Sequence, residues 1–450
     1  MVTDNALRVL ERRYLLKDAS GAVTESPGDL FERVARAVAA ADASLPFEGR
    51  TDPEAAARSF LQALSSREFL PNSPTLMNAG RPEQQLCACF VLPVEDSMEG
   101  IFEALKRTAI IHKTGGGTGF SFSRLRPRNS PVSTTHGVAS GPVSFMRVFN
   151  AATEAVKQGG ARRGANMGVL RVDHPDILEF VRCKTDLAEI TNFNLSVAVT
   201  SAFMEALERG ESYPLVHPSS GQPVATVSAR EVFDEIVTCA WRCGDPGLIF
   251  IDRINEANPT RHLAEIEATN PCGEQPLMPN EACTLGSINL GLLVRDGDAD
   301  WARLGELARL AVHFLDNVVE VTRYPVADIE ATTRACRRIG VGVMGWADML
   351  IRLRIPYDSN EAVSLGERVM AFIDLETKKA SAALAAERGT FPAWPGSAHD
   401  RPGGLRLRNA TTTTVAPTGT ISIIAGASSG IEPLFAVALS RRNVLEGDRL

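Results

Sequence analysis

The sequence has few cysteines, few lysines and no long apolar run. Eight cysteines among 450 residues are too sparse for a disulfide scaffold, and a reducing compartment would keep them as thiols. No apolar run approaches the length needed to cross a bilayer, and residues 1–18 carry too much charge for a signal peptide. We therefore expect a cytoplasmic protein without a membrane partner, in which any disulfide is a catalytic one.

Basic residues are outnumbered by acidic ones. The chain has 47 Lys and Arg against 54 Asp and Glu, a net charge of −7 and a pI near 5.7. This balance provides no basic field for a nucleic-acid polymer, although single arginines and lysines can still hold phosphates. The hydrophobic content of 44% is that of an ordinary globular protein, which leaves small anionic ligands as candidate partners.

Two regions differ in their apolar pattern. Residues 1–70 have helical periodicity, and Asp52 followed by Pro53 is a helix cap with proline at the first helical position. From residue 71 onward short apolar strands alternate with helices, which indicates parallel strands joined by crossovers. There is no internal repeat and no low-complexity linker. The sequence therefore predicts a small helical N-terminal domain, residues 1–70, and one α/β domain, residues 71–450.

The elements of the second region can be placed along the chain. One helix is capped by Asp96 and Ser97 and runs to His112. Strands are expected at residues 87–94, 120–126, 167–172 and 195–200, and further helices at residues 142–157, 229–242, 300–321 and 361–387. The sequence ends without a helix cap, from which we expect an incomplete chain or one piece of a split protein.

Residues 270–274, Asn-Pro-Cys-Gly-Glu, are the most compact set of reactive groups. The proline and glycine argue against a helix, so we predict an extended segment. Alternate side chains of an extended chain share a face, which would place the amide of Asn270, the thiol of Cys272 and the carboxylate of Glu274 in one space. The alternative is a Pro/Gly turn with incidental polar residues, and these five residues alone favour neither.

Three glycine-rich segments give weaker signals. Residues 340–345 match the dinucleotide fingerprint, but helix-like residues precede them where the fingerprint needs a buried strand, so we favour close packing of small residues. Residues 115–119 lack the Lys-Ser/Thr ending of a P-loop, yet such glycines bring backbone N–H groups close to ligands. Residues 416–422 combine small residues with hydroxyls, as a phosphate site does. Alone, either of the last two is more often a turn.

Residues 157–164 form a cationic, glycine-rich loop between a predicted helix and a predicted strand. Of the 47 basic residues only seven are lysines and forty are arginines, so Lys157 beside Arg162 and Arg163 is more than charge background. A flexible cationic loop suits a nucleotide, and its glycines let it change shape. The alternative is a solvated connection.

The cysteines divide into two groups. Cys239 and Cys243 stand at i and i+4 of a predicted helix, but no histidine or second cysteine pair at zinc spacing accompanies them. With Cys183 and Cys336, we interpret them as packing residues. The other four lie at strand ends or in Gly/Pro-rich segments, where active sites of α/β folds collect: Cys87, Cys89, Cys272 and Cys283.

Several segments, taken in order, resemble the catalytic subunit of ribonucleotide reductases, most closely the adenosylcobalamin-dependent class II enzymes of the dimeric type. They are residues 71–76, 88–93, 115–127, 160–167, 270–274, 338–346 and 416–422. The resemblance implies a ten-stranded α/β barrel with a central finger loop. It also implies reduction of ribonucleotides, in the first place ribonucleoside diphosphates, to 2′-deoxyribonucleotides by a thiyl-radical mechanism.

The resemblance assigns catalytic roles. It implies that Cys272 becomes the thiyl radical at the tip of the finger loop, that Glu274 takes the 3′-hydroxyl proton and that Asn270 orients the substrate. Cys89 and Cys283 would supply two electrons by forming a disulfide, and Cys87 is the alternative to Cys89. Homolysis of the cobalt–carbon bond of adenosylcobalamin would generate the radical, and no metal site formed by the protein is expected.

The same resemblance implies the binding residues. The substrate contacts would be Ser73, Ala88, Gly117, Pro417, Thr418, Gly419, Thr420 and Ile421. A deoxynucleotide or ATP effector that controls substrate choice would contact Asp96, Ser97 and Arg126. The loop that relays the identity of the effector to the substrate would contain Lys157, Gln158 and Arg162.

The chain departs from the family pattern in two ways. The C-terminal cysteine pair that re-reduces the disulfide is absent from these 450 residues, so turnover needs a missing segment, a second polypeptide or an added dithiol. The Asp-x-His-x-x-Gly signature of some cobalamin proteins is absent too, because Ile110 stands where the aspartate would precede His112. A thioredoxin-like reductant and a homodimer are expected by family analogy alone.

Two other functions compete with this interpretation. One is the large subunit of a class I reductase, which takes its radical from a separate metalloprotein. The other, from a different class, is a noncatalytic, nucleotide-binding regulatory chain. The complete Asn/Cys/Glu set and the two redox thiols argue against the regulatory chain.

Overall fold

A computed structural model describes residues 2–44, 52–132, 137–157 and 164–436. The chain divides into two compact units: Met1–Ala88 with Cys283–Leu450, which we call the first unit, and Cys89–Ala282, the second unit. The predicted domain boundary at residue 70 stays a prediction. Within the described ranges, every helix is too short or too polar to span a bilayer.

The described residues form fifteen α-helices, α1 to α15, and sixteen strands, β1 to β16, in chain order. The helices are Asp4–Arg13, Pro27–Ser44, Pro53–Ser66, Ser73–Asn78, Met98–Lys113, Pro142–Lys157, Ile177–Arg182, Ser201–Arg209, Ala229–Cys243, Ile251–Glu256, Trp301–Val321, Ala327–Cys336, Trp346–Leu353, Asn360–Arg388 and Ile421–Ala425. The strands are Phe69–Pro71, Cys89–Val91, Gly117–Ser121, Pro131–Val132, Gly137–Val138, Asn166–Arg171, Phe193–Val199, Ser212–Val216, Pro223–Ser228, Gly247–Phe250, Ala268–Thr269, Pro276–Leu277, Glu281–Asn289, Val294–Arg295, Asp298–Ala299 and Ile339–Met344.

Side-chain caps mark the helix starts that the sequence predicts. The Asp52 carboxylate accepts hydrogen bonds from the N–H groups of Glu54 and Ala55 at the start of α3, and Ser97 accepts from Gly100 N–H at the start of α5. These bonds satisfy donors that a helix leaves without an internal partner. The bounds expected for α5, α6, α9, α11 and α14 are confirmed to within one residue.

The second unit is built around a parallel sheet. Its strands pair in the order β2, β3, β6, β7, β10, and each neighbouring pair is parallel. Helices join successive strands, as expected from the alternating pattern. Four buried phenylalanine rings with centroids 4.9 to 6.4 Å apart pack beside the sheet: Phe120, Phe122, Phe149 and Phe193.

One predicted strand is misplaced. The sequence predicts a glycine-rich turn at residues 115–119 and a strand at residues 120–126, whereas β3 begins at Gly117 and ends at Ser121. Glycine lowers strand propensity because it adds no packing side chain, which is why local pattern favours a turn here. Glycine is required inside this strand because a Cβ atom at Gly117 or Gly119 would collide with residues 269–271.

The first unit surrounds a second set of strands with helices. Strand β13 pairs antiparallel with β1 and parallel with β16. Helices from both parts of this unit, among them α1, α2, α3, α11 and α14, contribute to one buried apolar cluster. The burial of this cluster holds the N-terminal helices to the strands that follow residue 283, because removing apolar surface from water is the main favourable contribution to folding.

The segment that matches the dinucleotide fingerprint lies inside β16. A Cβ atom at Gly342 would stand 3.0 Å from the carbonyl oxygen of Thr414, and Thr414 N–H donates to the Val341 carbonyl over 3.1 Å. The glycine thus permits a close approach of two backbone segments. This geometry agrees with the packing interpretation and not with a phosphate-binding turn after a strand.

A buried network of charges ties together helices of the first unit. Asp316 of α11 has no exposed side-chain surface and accepts hydrogen bonds from Arg337 Nε at 2.9 Å and Arg388 Nη1 at 3.3 Å, with Arg408 Nε at 3.5 Å. Arg388 also pairs with Asp42 of α2. Burial alone would raise the pKa of Asp316, but the three arginines lower it to about 2.

We expect Asp316→Asn to destabilise the fold strongly. It would leave three buried arginines short of a counter-charge, and breaking a buried pair in this way costs about 3–5 kcal/mol. The measurement is the free energy of unfolding in urea at pH 7. The matched control is Asp374→Asn, which removes a half-exposed partner of Lys378 on α14 and should cost less than about 1 kcal/mol. Equal losses in the two variants would contradict the role given to the network.

The same network predicts a pH dependence. Because the folded-state pKa of Asp316 is about 2, below the ordinary value of 3.8, its stabilising contribution is complete above about pH 4 and is lost as the pH falls toward 2. The stability difference between the parent chain and Asp316→Asn should therefore shrink over that interval. A difference that stays constant from pH 5 to pH 2 would show that Asp316 is not the titrating group.

Candidate active site

A short hairpin of the second unit carries residues 270–274. Its strands β11 and β12 pair antiparallel. At the tip, Asn270 N–H donates to the Gln275 carbonyl over 3.2 Å, and Gly273 N–H donates to the Asn270 carbonyl over 3.1 Å. The prediction of an extended segment is therefore wrong, because these bonds close a turn.

Proline and glycine explain why the chain turns here. Pro271 has a restricted φ that suits the second position of a turn. Gly273 has a φ of +86°, in the left-handed region that favours glycine. A Cβ atom at Gly273 would meet no atom within 4 Å, so the backbone conformation and not the available space calls for glycine at this position.

The turn brings three reactive side chains into contact. The Asn270 amide nitrogen donates to Glu274 Oε2 over 2.7 Å and lies 3.2 Å from Cys89 Sγ. Cys89 Sγ in turn lies 4.0 Å from Glu274 Oε1. Asn270 and Cys89 are buried, whereas Cys272, two residues along the same turn, is exposed. An amide, a carboxylate and a thiol thus form one cluster beside an accessible thiol.

The orientation of the Asn270 amide is fixed by its neighbours. Its Oδ1 accepts a hydrogen bond from Gln275 N–H over 3.0 Å, and a backbone N–H can only donate. The NH₂ group must therefore point toward Glu274 and Cys89. Asn270 stabilises the turn through its oxygen and presents its donors to the cluster.

Glycines in β3 form the floor on which this hairpin packs. A Cβ atom at Gly119 would overlap the Thr269 carbonyl oxygen, and one at Gly117 would stand 2.8 Å from Pro271 Cγ. Real Cβ atoms do not approach other atoms so closely, so only glycine lets the hairpin reach this position. Gly117, predicted as a substrate contact, has a packing function at the tip of the hairpin.

Asn194 is a site residue that the sequence reasoning missed. Its Nδ2 donates to the Pro271 carbonyl over 2.7 Å and anchors the tip from strand β7. The sequence signal was weak, because Asn194 is one of two polar residues, with Ser196, in the strand Phe-Asn-Leu-Ser-Val-Ala-Val.

The second predicted redox thiol belongs to the first unit. Cys283 is buried in β13, with its Sγ 3.5 Å from the Arg338 carbonyl oxygen. The N–H of Ala88, a predicted substrate contact, donates to the Cys283 carbonyl over 3.2 Å. Within this unit, two of the residues that the family resemblance selects are therefore direct neighbours.

Cys87, the alternative redox thiol, has a different environment. It is fully buried, and burial raises the pKa of its thiol to about 12 although Thr322 and Tyr324 hydrogen bond with it. It precedes β2, which begins at Cys89, so the alternation of a regular strand does not relate the two side chains. Cys87 and Cys89 accordingly have separate sets of neighbours.

The other predicted substrate residues are in the first unit. Ser73 Oγ lies 2.8 Å from Tyr14 Oη. In the segment 417–421, Thr418 has a φ of +52° and its hydroxyl accepts from Gly430 N–H over 2.7 Å. The segment leads directly into α15, which begins at Ile421. The turn is thus held in a fixed shape by its own hydrogen bonds.

The predicted effector residues are neighbours in the second unit. Arg126 Nε lies 2.9 Å and 3.1 Å from the two carboxylate oxygens of Asp96, and Ser97 caps α5. Of the predicted specificity loop, Lys157 is the last residue of α6. Gln158 and Arg162 lie outside the described residues.

Comparison with known families identifies this arrangement. The model of the ribonucleotide reductase barrel domain matches residues 87–405 and 403–449, and the model of the ribonucleotide reductase all-alpha domain matches residues 1–84. The chain belongs to the ribonucleotide reductase family. The predicted fold class, the family's α/β barrel preceded by a helical N-terminal region, is confirmed by these matches together with the mixed α/β structure.

Individual members of the ribonucleotide reductase family cover nearly the whole chain. A vitamin B12-dependent ribonucleoside-diphosphate reductase of Thermoplasma acidophilum is 49% identical over 503 residues, covering 100% of this chain and 65% of the relative. One of Mycobacterium tuberculosis is 51% identical over 449 residues, covering 98% and 64%. A ribonucleoside-diphosphate reductase large subunit of Monkeypox virus is 28% identical over 497 residues, covering 98% and 63%. The chain thus spans less than two thirds of the length of each of these reductases.

We expect Gly119→Ala to displace the hairpin that carries residues 270–274. The new methyl group would overlap the Thr269 carbonyl, so the hairpin must shift or the strand must bend, and we expect a loss of about 3 kcal/mol or more in unfolding free energy. The control is Gly247→Ala in β10 of the same sheet, where a Cβ atom would stand 3.5 Å from Ser196 Oγ and the loss should stay below about 1 kcal/mol. Urea denaturation measures both, and equal effects would reject the packing role of Gly119.

Proposed function

We propose that this chain reduces ribonucleotides, in the first place ribonucleoside diphosphates, to 2′-deoxyribonucleotides by a thiyl-radical mechanism. The observation that carries the proposal is the contact of Asn270 with both Glu274 and Cys89 on the hairpin that bears Cys272. Family membership supports it, and so do the names of the relatives that are about half identical to the chain. Synthesis of DNA precursors would be its purpose.

Each residue of the cluster has a distinct task in this proposal. Cys272, exposed on the turn, takes the 3′ hydrogen atom of the ribose as a thiyl radical and later returns it. Glu274 accepts the proton of the 3′-hydroxyl, which a carboxylate in a partly buried site can do. Asn270 orients the substrate through the donor group that it presents to the cluster.

The electrons come from two thiols. Removing the 2′-hydroxyl as water and replacing it by hydrogen consumes two electrons and two protons. Oxidation of Cys89 and Cys283 to one disulfide releases two electrons and two protons, so the step balances. A dithiol, supplied by a thioredoxin-like protein or by a polypeptide that carries the re-reducing pair, must then restore both thiols before the next turnover.

Adenosylcobalamin is the proposed cofactor. Cys272 is exposed, and the space on the Cβ side of the adjacent Gly273 is open to at least 4 Å, so a bulky group can approach the thiol. When bound, the cofactor supplies a radical by homolysis of its cobalt–carbon bond. The residues of the turn contribute the thiol that receives the radical and the buried amide and carboxylate that hold the substrate beside it.

The class I large subunit is the second candidate. The Monkeypox virus relative, which is named a large subunit, is 28% identical to this chain. The two vitamin B12-dependent relatives are 49% and 51% identical. This difference favours the cobalamin-dependent enzyme. A noncatalytic regulatory chain has less support, because the cluster around Asn270 combines an amide, a carboxylate and a thiol that nucleotide binding alone does not require.

We further propose that a bound nucleotide effector controls which substrate is reduced. A deoxynucleotide or ATP effector would bind near Asp96, Ser97 and Arg126, and the segment with Lys157, Gln158 and Arg162 would relay its identity to the substrate. Binding by these residues requires the effector to compete for a carboxylate and guanidinium that already pair with each other. We also propose a homodimer and a cytoplasmic location.

An anaerobic reduction assay tests the proposed function. The chain, a ribonucleoside diphosphate and dithiothreitol should give the 2′-deoxyribonucleotide when adenosylcobalamin is added and none when it is omitted. An electron paramagnetic resonance signal of cobalt(II) coupled to a thiyl radical should form in the same mixture. Activity that appears only with a separate metalloprotein would reject the cobalamin assignment in favour of class I.

Cysteine variants test the roles of the thiols. We expect Cys272→Ser to abolish reduction while nucleotide affinity changes less than about twofold, because a hydroxyl cannot carry the radical under these conditions. Without added dithiol, the parent should form product in a single turnover, and Cys283→Ser should form none. The control is Cys183→Ser, which should behave like the parent. Cys183 is a half-buried cysteine at the C-terminal end of α7. Near-normal turnover in Cys272→Ser would reject the radical role.

A further inference from the structure

A directed chain of hydrogen bonds lies buried beneath the catalytic hairpin. His112 Nε2 is 2.9 Å from Thr118 Oγ1, Thr118 Oγ1 is 2.8 Å from Asn166 Oδ1, and Asn166 Nδ2 is 2.9 Å from Thr153 Oγ1. The Thr153 hydroxyl donates to the Phe149 carbonyl over 2.8 Å. All four side chains are at most 2% exposed, so each bond is made away from water.

The acceptors around Asn166 fix the direction of donation along this chain of hydrogen bonds. Asn166 Nδ2 also donates to the Asn192 carbonyl over 3.2 Å, and a carbonyl can only accept, so Asn166 Oδ1 faces Thr118. Thr118 must then donate its single hydroxyl proton to Asn166 and accept from His112 Nε2–H. The order of donation is His112 to Thr118 to Asn166 to Thr153, and it requires the Nε2–H tautomer of the imidazole.

The histidine at the head of the chain is held neutral. Burial lowers the pKa of His112 to about 4, an effect that a hydrogen bond with the Ala165 carbonyl offsets only in part. Among the described residues, Nδ1 of this tautomer has no hydrogen-bond partner. A Cβ atom at Gly164 would overlap the imidazole ring, so the backbone at residue 164 lies directly against it.

This chain of hydrogen bonds joins α6, β6 and β3. The proposed function requires these elements to keep a fixed position relative to the hairpin. Thr153 lies in α6 and Asn166 opens β6, which are the elements on either side of residues 158–163. Thr118 lies in β3 between Gly117 and Gly119, where an added Cβ atom would collide with Pro271 and Thr269 of the hairpin. Thr118 N–H also donates to the Ala165 carbonyl over 3.1 Å. One buried network therefore spans the anchors of the predicted specificity loop and the floor of the catalytic turn.

We propose that His112, Thr118 and Asn166 are positioning residues that couple α6 and β6 to the catalytic hairpin. Their side-chain hydrogen bonds join them to one another and to Thr153 and the Asn192 carbonyl, so we expect them to act on the hairpin indirectly, through β3. The inference rests on the proposed function for its kinetic consequence. Its structural consequence, that cutting the chain at Thr118 loosens the hairpin, holds for any function.

The structural arm of the test uses Thr118→Val. This change removes the hydroxyl that joins His112 to Asn166 and keeps a β-branched side chain suited to a strand. By hydrogen-exchange mass spectrometry of the full chain, the amides of Asn270 and Gly273 should exchange about tenfold faster, because a buried network in which groups lose their partners weakens what it supports. Thr118→Ser, which restores the hydroxyl, should return the exchange rates to within about twofold of the parent.

Thr108→Val is the matched control. Thr108 is a buried threonine of α5, one turn before His112, and within the part of the chain that the structure describes its hydroxyl bonds only to the Ala104 carbonyl of the same helix, over 2.7 Å. Its loss should leave exchange in the hairpin at the parent rate. Equal exchange at Asn270 and Gly273 in Thr118→Val and Thr108→Val would overturn the inference, because the effect of Thr118 would then be no more than that of any buried hydroxyl.

The kinetic arm uses the reduction assay. The ratio of substrate KM values with and without a deoxynucleotide effector should fall about fivefold in Thr118→Val and recover in Thr118→Ser, with effector affinity measured separately by equilibrium dialysis. An unchanged ratio in Thr118→Val overturns the coupling. If the parent chain reduces nothing with either radical source, the proposed function fails, and the exchange arm alone then decides the positioning role.

Discussion

The close approach of the hairpin backbone to strand β3 is the contact on which the candidate site depends. Two glycines make room for it, Gly119 under the Thr269 carbonyl and Gly117 under the Pro271 ring. Asn194 then fixes the tip through the Pro271 carbonyl. Without these contacts, residues 270–274 would be a solvent-exposed turn, because the turn's own two backbone hydrogen bonds cannot hold these five residues in one position.

The Asn270 side chain connects the turn to the cluster of polar side chains. Its oxygen closes the turn onto Gln275 N–H, and its NH₂ group then has to face Glu274 and Cys89. A single side chain thus links the local fold to the reactive cluster. Cys272 lies two residues along the same turn and is exposed, so its thiol is accessible beside this cluster.

The sequence predicted those features that are local. Helix ends coincide with Ser97 and Asp52 caps, and the alternation of strands with helices implied parallel pairing. The turn at 270–274 was not predictable in the same way, since a Pro/Gly segment is compatible with several backbone paths. Its path is decided by Gly119 and Asn194, which lie 151 and 76 residues before Asn270, and no local periodicity reports such distant contacts.

The two thiols that the sequence left as alternatives are both buried, but their neighbours differ. A redox thiol that is regenerated by exchange must reach its thiolate form, since the thiolate is the nucleophile in thiol–disulfide exchange. Burial raises the pKa of Cys87 to about 12, which disfavours the thiolate there at neutral pH. Cys89 instead lies in the cluster with Asn270 and Glu274, on the turn that carries Cys272. These neighbours support the proposal that Cys89, rather than Cys87, is the redox thiol of this turn.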